Sequence, residues 1–195
     1  MNKRRIDLLI AHLELIGKGL KFKLQDEKVI IDFSNIITKE NIAIDMDKII
    51  KQHFNNDGSF LEDVEFNLGN NKELIIENWG GFSIECGNQC NLFIGNESKK
   101  TITTTIRAKN NNSFYTGDNC NLICGDNNTI ETGKNCNIKM GSGNTIENIG
   151  EFTNINGDDK NIIILEQVPK MDDDGIIKLG SGNEIFVKGW AITTK

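Results

Sequence analysis

Residues 118–149 read DNCNLICG, DNNTIETG, KNCNIKMG and SGNTIENI, four consecutive blocks of eight. The fifth place of each block is apolar: Leu122, Ile130, Ile138 and Ile146. The third and seventh places hold small, apolar or amide residues, as in Cys120 and Cys124 or Cys136 and Met140. Side chains alternate along a strand, so places three, five and seven share one face. The eighth place is commonly Gly, followed by Asp, Ser or Asn, residues that tolerate positive φ at a tight corner. Each block is therefore a short strand plus a corner. One block cannot bury its inner face alone; a stack of them can.

The pattern extends in both directions. GGFSIECG (80–87), NQCNLFIG (88–95), NNNSFYTG (110–117) and SGNEIFVK (181–188) fit it, and looser copies start at Lys72, Ile102, Gly150, Asp158 and Asp173. Across these copies the fifth place also holds Ile76, Ile84, Leu92, Ile106, Phe114, Ile162, Ile177 and Ile185. The third place alternates Cys120, Asn128, Cys136, Asn144, so the true period is sixteen, two strands per coil on opposed sheets. Cys120 and Cys136 then stack about 4.8 Å apart on one sheet. Asn112, Asn128 and Asn144 form an amide ladder on the other, bonded from coil to coil. A 24-residue coil would break both columns. The expected fold is mainly β: a parallel two-sided β-solenoid over residues 72–195, about 16 residues per coil. Six residues at 96–101 and seven at 166–172, with the only proline, Pro169, interrupt the count and should protrude as loops.

Residues 1–71 read differently, as a small α+β unit that caps the solenoid. Ile6, Leu9, Ile10, Leu13 and Ile16 recur at helical spacing, and Asp45 opens a second helix carrying Met46, Ile49, Ile50 and Phe54. Alternation predicts strands over Leu20, Phe22 and Leu24, over Val29, Ile31 and Phe33, and over Val64, Phe66 and Leu68. At the far end the short segment 190–195 either caps the last strand edge or pairs with another copy.

Composition excludes several roles. The 195 residues include 19 glycines and 27 asparagines, aromatics are only 7%, and the net charge is −6. That balance argues against electrostatic binding of nucleic acid. No run approaches 18 apolar residues, so no membrane span is expected. The basic start, Met1 to Arg5, does not continue as a signal peptide. Five cysteines without such a signal point to reduced thiols and a cytoplasmic location.

No catalytic constellation emerges. All five cysteines fall at inward places, which reads as core packing and not as a metal site. Corners such as Gly125-Asp126-Asn127 lack the nonapeptide turn of calcium β-rolls. The outward threonines are too irregular for an ice-binding array, and His12 and His53 lie outside the repeats, unlike the histidine of hexapeptide acyltransferases. Glu131 and Glu147 stack one coil apart, as clustered carboxylates do in solenoid hydrolases, but the long substrate loops of such enzymes are missing. Neither a cofactor nor a metal is expected. What the surface offers is a set of sixth-place residues read as outward, Phe93, Tyr115, Ile123, Ile155, Ile163 and Phe186. With Asp172 and Asp173 of the second insertion they form the candidate partner-binding surface.

The Asn/Gly/Cys-rich octads of residues 80–165 resemble short repeat proteins of phages and prophages in low-GC bacteria. That resemblance implies a virion part or a blocker of host proteins, defence proteins included, working in the host cytosol by surface occupation. The expected function is non-enzymatic: a binding protein for a protein partner. The alternatives are a self-assembling structural or virion component, and a carbohydrate-active enzyme.

Overall fold

The computed structural model describes residues 21–25, 28–35, 42–44, 64–76, 81–95, 103–149, 153–165, 177–187 and 190–193. Every regular element among them is a β-strand. In chain order these begin with β1 (Lys21–Gln25), β2 (Lys28–Asp32), β3 (Ile42–Ile44), β4 (Val64–Gly69), β5 (Glu73–Ile76) and β6 (Ser83–Cys86). The middle of the chain forms β7 (Asn91–Ile94), β8 (Thr104–Ala108), β9 (Ser113–Thr116), β10 (Cys120–Cys124), β11 (Thr129–Thr132) and β12 (Asn137–Met140). The last six are β13 (Thr145–Ile149), β14 (Asn154–Gly157), β15 (Ile162–Leu165), β16 (Ile177–Leu179), β17 (Glu184–Val187) and β18 (Trp190–Thr193).

Even-numbered strands from β2 to β16 stack in order into one sheet, and odd-numbered strands from β3 to β17 into the other. Neighbours within each run are parallel, so the chain winds as a two-sided β-solenoid. An antiparallel strand ends each sheet at one end: β1 on β2, and β18 on β17. Such a hairpin covers the last parallel edge and blocks another coil from adding there. The terminal segment thus folds back on its own chain.

The repeat length can be read from the pairing. Ser113 faces Thr129, Thr129 faces Thr145, and Asn121 faces Asn137, each sixteen residues on. Ser83 faces Thr105, a gap of 22, so the first insertion adds six. A single extra residue enters at β13, where Glu131 faces Glu147 but Thr132 faces Ile149. From there the count in eights runs one residue early. Ile155 and Ile163, expected outward, therefore occupy the fifth place and are buried, opposite Ile138 and Ile146. Ile162 turns to the outer side, half-buried, and Ile164 takes the exposed sixth place. The same shift shortens the second insertion to six residues, because Ile155 faces Ile177, 22 residues on.

The strands expected near residues 20–24, 29–33 and 64–68 are present as β1, β2 and β4. Val29 faces Val64 and Phe66 faces Ile84, so these strands continue the sheet of the octads. Residue 71 marks a change of sequence pattern but not a break in the sheet. Both helices expected in residues 1–71, His12, His53 and both insertions lie outside the described residues.

Phe33, Phe66 and Phe82 fill the N-terminal end of the core, with Phe66 and Phe82 edge-to-face at 5.4 Å. Beyond them the interior is two facing columns of fifth-place residues. Ile84, Ile106, Leu122, Ile138 and Ile155 line the even sheet, and Leu92, Phe114, Ile130, Ile146 and Ile163 the odd one. All are at most 3% exposed, which is why one charge there would be costly.

Corners close each turn by a division of labour. The second place, not the glycine, holds the left-handed backbone: Asn111, Asn119, Asn127 and Asn135 all have φ between 55° and 59°. Asparagine tolerates that conformation better than other side-chain-bearing residues. The eighth-place glycine answers a different need. A Cβ on Gly125, Gly133, Gly141 or Gly180 would collide with Oδ1 of Asn110, Asp118, Asp126 or Asp159 on the neighbouring coil. Those oxygens are in use. Asn110 Oδ1 accepts the Asp126 N–H at 2.8 Å, Asp118 that of Lys134 at 2.7 Å, and Asp126 that of Ser142 at 2.8 Å.

The expected amide ladder is present, and it is longer than expected. Oδ1 of Asn112, Asn128, Asn144, Asn161 and Asn183 accepts the third-place N–H of the preceding odd-sheet strand, at 2.7–2.8 Å. All five asparagines are buried, and the Nδ2 groups of Asn128 and Asn144 donate along the column. The even sheet carries Phe82, Thr104, Cys120, Cys136 and Thr153 at the same place, all buried.

The assigned faces make a direct prediction. Ile130→Asp should cost on the order of 3–5 kcal/mol, because an unpaired carboxylate enters a dry core. Thr129→Asp, its exposed neighbour, should change stability by about 0.5 kcal/mol or less. Urea unfolding of the two variants measures both, and equal midpoints would contradict the assignment.

Candidate functional site

The six sixth-place residues expected to share a surface divide among three environments. Phe93, Tyr115 and Phe186 are exposed on the odd sheet, Ile123 is exposed on the even sheet, and Ile155 and Ile163 are core. Asp172 and Asp173 lie outside the described residues.

On the odd sheet, Phe93 and Tyr115 face each other on adjacent coils. Their rings stack at 4.6 Å with 8° between planes, yet they remain 41% and 46% exposed. Glu131 and Glu147 continue that column, one coil each, and on β15 and β17 it carries the exposed pair Ile164 and Phe186. A shallow groove of about 280 Å³ runs beside the aromatic pair, lined by Glu73, Phe93, Tyr115, Thr129, Glu131 and Glu147. Stacked rings on paired strands are held in one orientation without a partner. Such side chains lose little freedom on docking.

The even sheet presents the opposite chemistry. Its sixth-place column from β8 onward is Arg107, Ile123, Lys139, Asn156 and Lys178. Beside it runs an outer amide row, in which Asn137 Nδ2 donates to Asn121 Oδ1 and Asn154 Nδ2 to Asn137 Oδ1, each at 3.0 Å. Together these residues line a wider concavity of about 650 Å³. Of this column the sequence reading of outward apolar residues names only Ile123; Arg107, Lys139 and Lys178 share its sixth place without an apolar signal.

All five cysteines are free thiols and buried at inward places, as the periodicity predicts. Burial pushes Cys120 up to about 12, with the nearby Cys136 adding to it. Burial also raises Cys124 to about 12, helped by Asp126, and raises Cys136. The thiols of Cys86 and Cys90 shift each other in opposite directions: Cys90, with burial, raises Cys86, and Cys86 lowers Cys90. Cys90 Sγ also lies 3.3 Å from the Gly69 carbonyl, within reach of a thiol donor. Among the described residues no three His, Cys, Asp or Glu side chains gather as a metal site.

Cys120 and Cys136 should therefore resist thiol reagents in the folded protein and react on denaturation. Rapid labelling of the native chain, or stoichiometric zinc by elemental analysis, would reverse the core assignment. The raised thiols also set a pH dependence. Cys120 and Cys124 titrate near 12 against an ordinary 9, so the stability their protonated forms contribute is whole below pH 9 and lost toward pH 12. The fall in unfolding free energy across that window should be shallower in Cys120→Ala.

No family model, curated protein or solved structure matches this chain.

Proposed function

We propose that this chain is a non-enzymatic binding protein that acts by occupying the surface of a protein partner. The observation that carries this reading is the Phe93–Tyr115 stack, two large apolar side chains exposed side by side on paired strands. A contiguous exposed aromatic patch marks an interface more often than scattered apolar residues do. Aromatic side chains that are rigid before contact are the usual anchors of such interfaces. The carboxylates around the stack, Glu73, Glu131 and Glu147, favour a partner surface with lysine or arginine at its centre. An arginine laid against the free face of Tyr115 would gain from both the ring and the carboxylates.

The resemblance of the octads to phage and prophage repeat proteins supports a host protein, defence proteins included, as the partner, met in the cytosol. Blocking by surface occupation needs no catalytic group. It needs a stable scaffold and a few anchors.

Affinity capture from host lysate with the full chain, followed by titration of the captured protein, tests this. Tyr115→Ala and the double variant Phe93→Ala/Tyr115→Ala should weaken binding by about tenfold or more while leaving the melting temperature unchanged. Normal binding by both variants, with loss of the biological effect in Glu131→Gln alone, would replace this reading with an enzymatic one.

A further inference from the structure

Charge is segregated between the two sheets. From β8 to β16 the outward places of the even sheet carry three cations, Arg107, Lys139 and Lys178, and no carboxylate. The carboxylates of that face, Asp32, Glu65 and Glu85, sit on β2, β4 and β6. From β9 to β17 the outward places of the odd sheet carry three carboxylates, Glu131, Glu147 and Glu184, and no cation. A chain with net charge −6 thus keeps a cationic face over the same coils whose other face is anionic. Both faces also expose apolar side chains at the sixth place, Ile123 on one and Tyr115, Ile164 and Phe186 on the other.

We propose that the cationic face of the even sheet docks on the acidic, aromatic face of the odd sheet of a second copy. The two faces belong to one solenoid, so their columns rise with the same strand spacing, about 4.8 Å per coil. Parallel stacking of two copies keeps that match along the whole contact. One alignment sets Arg107 over Phe93, Ile123 over Tyr115, Lys139 over Glu131 and Asn156 over Glu147, one coil apart at each step. It combines a cation on a ring, an apolar pair, an ion pair and a hydrogen bond. An unrelated partner has no reason to repeat this spacing; a second copy repeats it by construction. The contact joins unlike faces, so it does not close on itself, and copies add one on another as concentration rises.

This goes beyond the proposed function. Tyr115 belongs to both contacts, whereas Lys139 belongs only to the contact between copies. Sedimentation velocity of the full chain over a concentration series, at low and high salt, reads the association. Wild type should grow in mass with concentration and less so at high salt. Lys139→Glu and Glu131→Lys should each lower self-association by about tenfold. Mixing the two variants brings opposite charges together at both junctions, native at one and exchanged at the other, so the mixture should regain association, which also shows that both fold. A wild type that stays monomeric at every concentration, or variants that associate as wild type does, would overturn the proposal. So would a monomeric wild type whose binding to polyphosphate is lost in Lys139→Glu, since the face would then serve a foreign polyanion. A Lys139→Glu chain that still captures the foreign partner leaves the proposed function standing whichever way self-association falls.

Discussion

Side-chain oxygens that accept a backbone N–H from the neighbouring coil hold this structure together. At the first place Asn110, Asp118, Asp126 and Asp159 accept from the following coil. At the third place Asn112, Asn128, Asn144, Asn161 and Asn183 accept from the preceding one. The two sets point in opposite directions along the axis and together bracket β9, β11 and β15 at their entries. The third-place donors are buried, and leaving one unpaired costs about 1–3 kcal/mol. Apolar burial alone would tolerate a slip between coils, because isoleucine packs on leucine in many offsets. The asparagine column does not tolerate it.

The same constraint determines the surface. Once the third place is locked inward, the sixth must face water, and the exposed columns follow without further choice. Phe93 meets Tyr115 because both sit at that place in adjacent odd-sheet strands. Arg107, Ile123 and Lys139 meet for the same reason on the even sheet. Function on such a scaffold is written in the outward letters of the repeat. A substitution there leaves the inter-coil bonds untouched, so a surface can change without endangering the fold.

Counting in eights places Cys120, Ile130, Asn144 and Tyr115 on their observed faces, since the blocks from 110 to 147 carry no irregularity. It fails at Ile76, which takes the seventh place because Leu74 faces Leu92, and at Ile155 and Ile163, where one added residue at β13 shifts the next two blocks by one. The sequence carries a sign of that bulge: without the added residue the inward places would hold Asn148, Asn154 and Lys160, and with it they hold Ile149, Ile155 and the ladder residue Asn161. The corner residues that the sequence groups together divide their work in the structure: positive φ falls at the second place, on Asn111, Asn119, Asn127 and Asn135 and on Gly143 and Gly182, while the eighth-place glycine makes room for the acceptor oxygen of the adjacent coil. The cationic column was legible as residues but not as a face. Arg107 and Lys178 lie in loose copies, and their alignment with Lys139 depends on insertion lengths that only the register supplies.

The sixteen-residue coil is tested most directly by deletion. Removing residues 118–133 takes out one coil and returns each remaining strand to its own sheet, with Asn112 now beneath Asn144. Removing residues 126–133 takes out half a coil and forces Cys136 into the asparagine column, reversing every later face. Thermal unfolding of the two proteins is the measurement. The full-coil deletion should fold cooperatively with a modest loss of melting temperature, and the half-coil deletion should show no cooperative transition. Equal stability of the two, or survival of the half-coil deletion alone, would contradict the account.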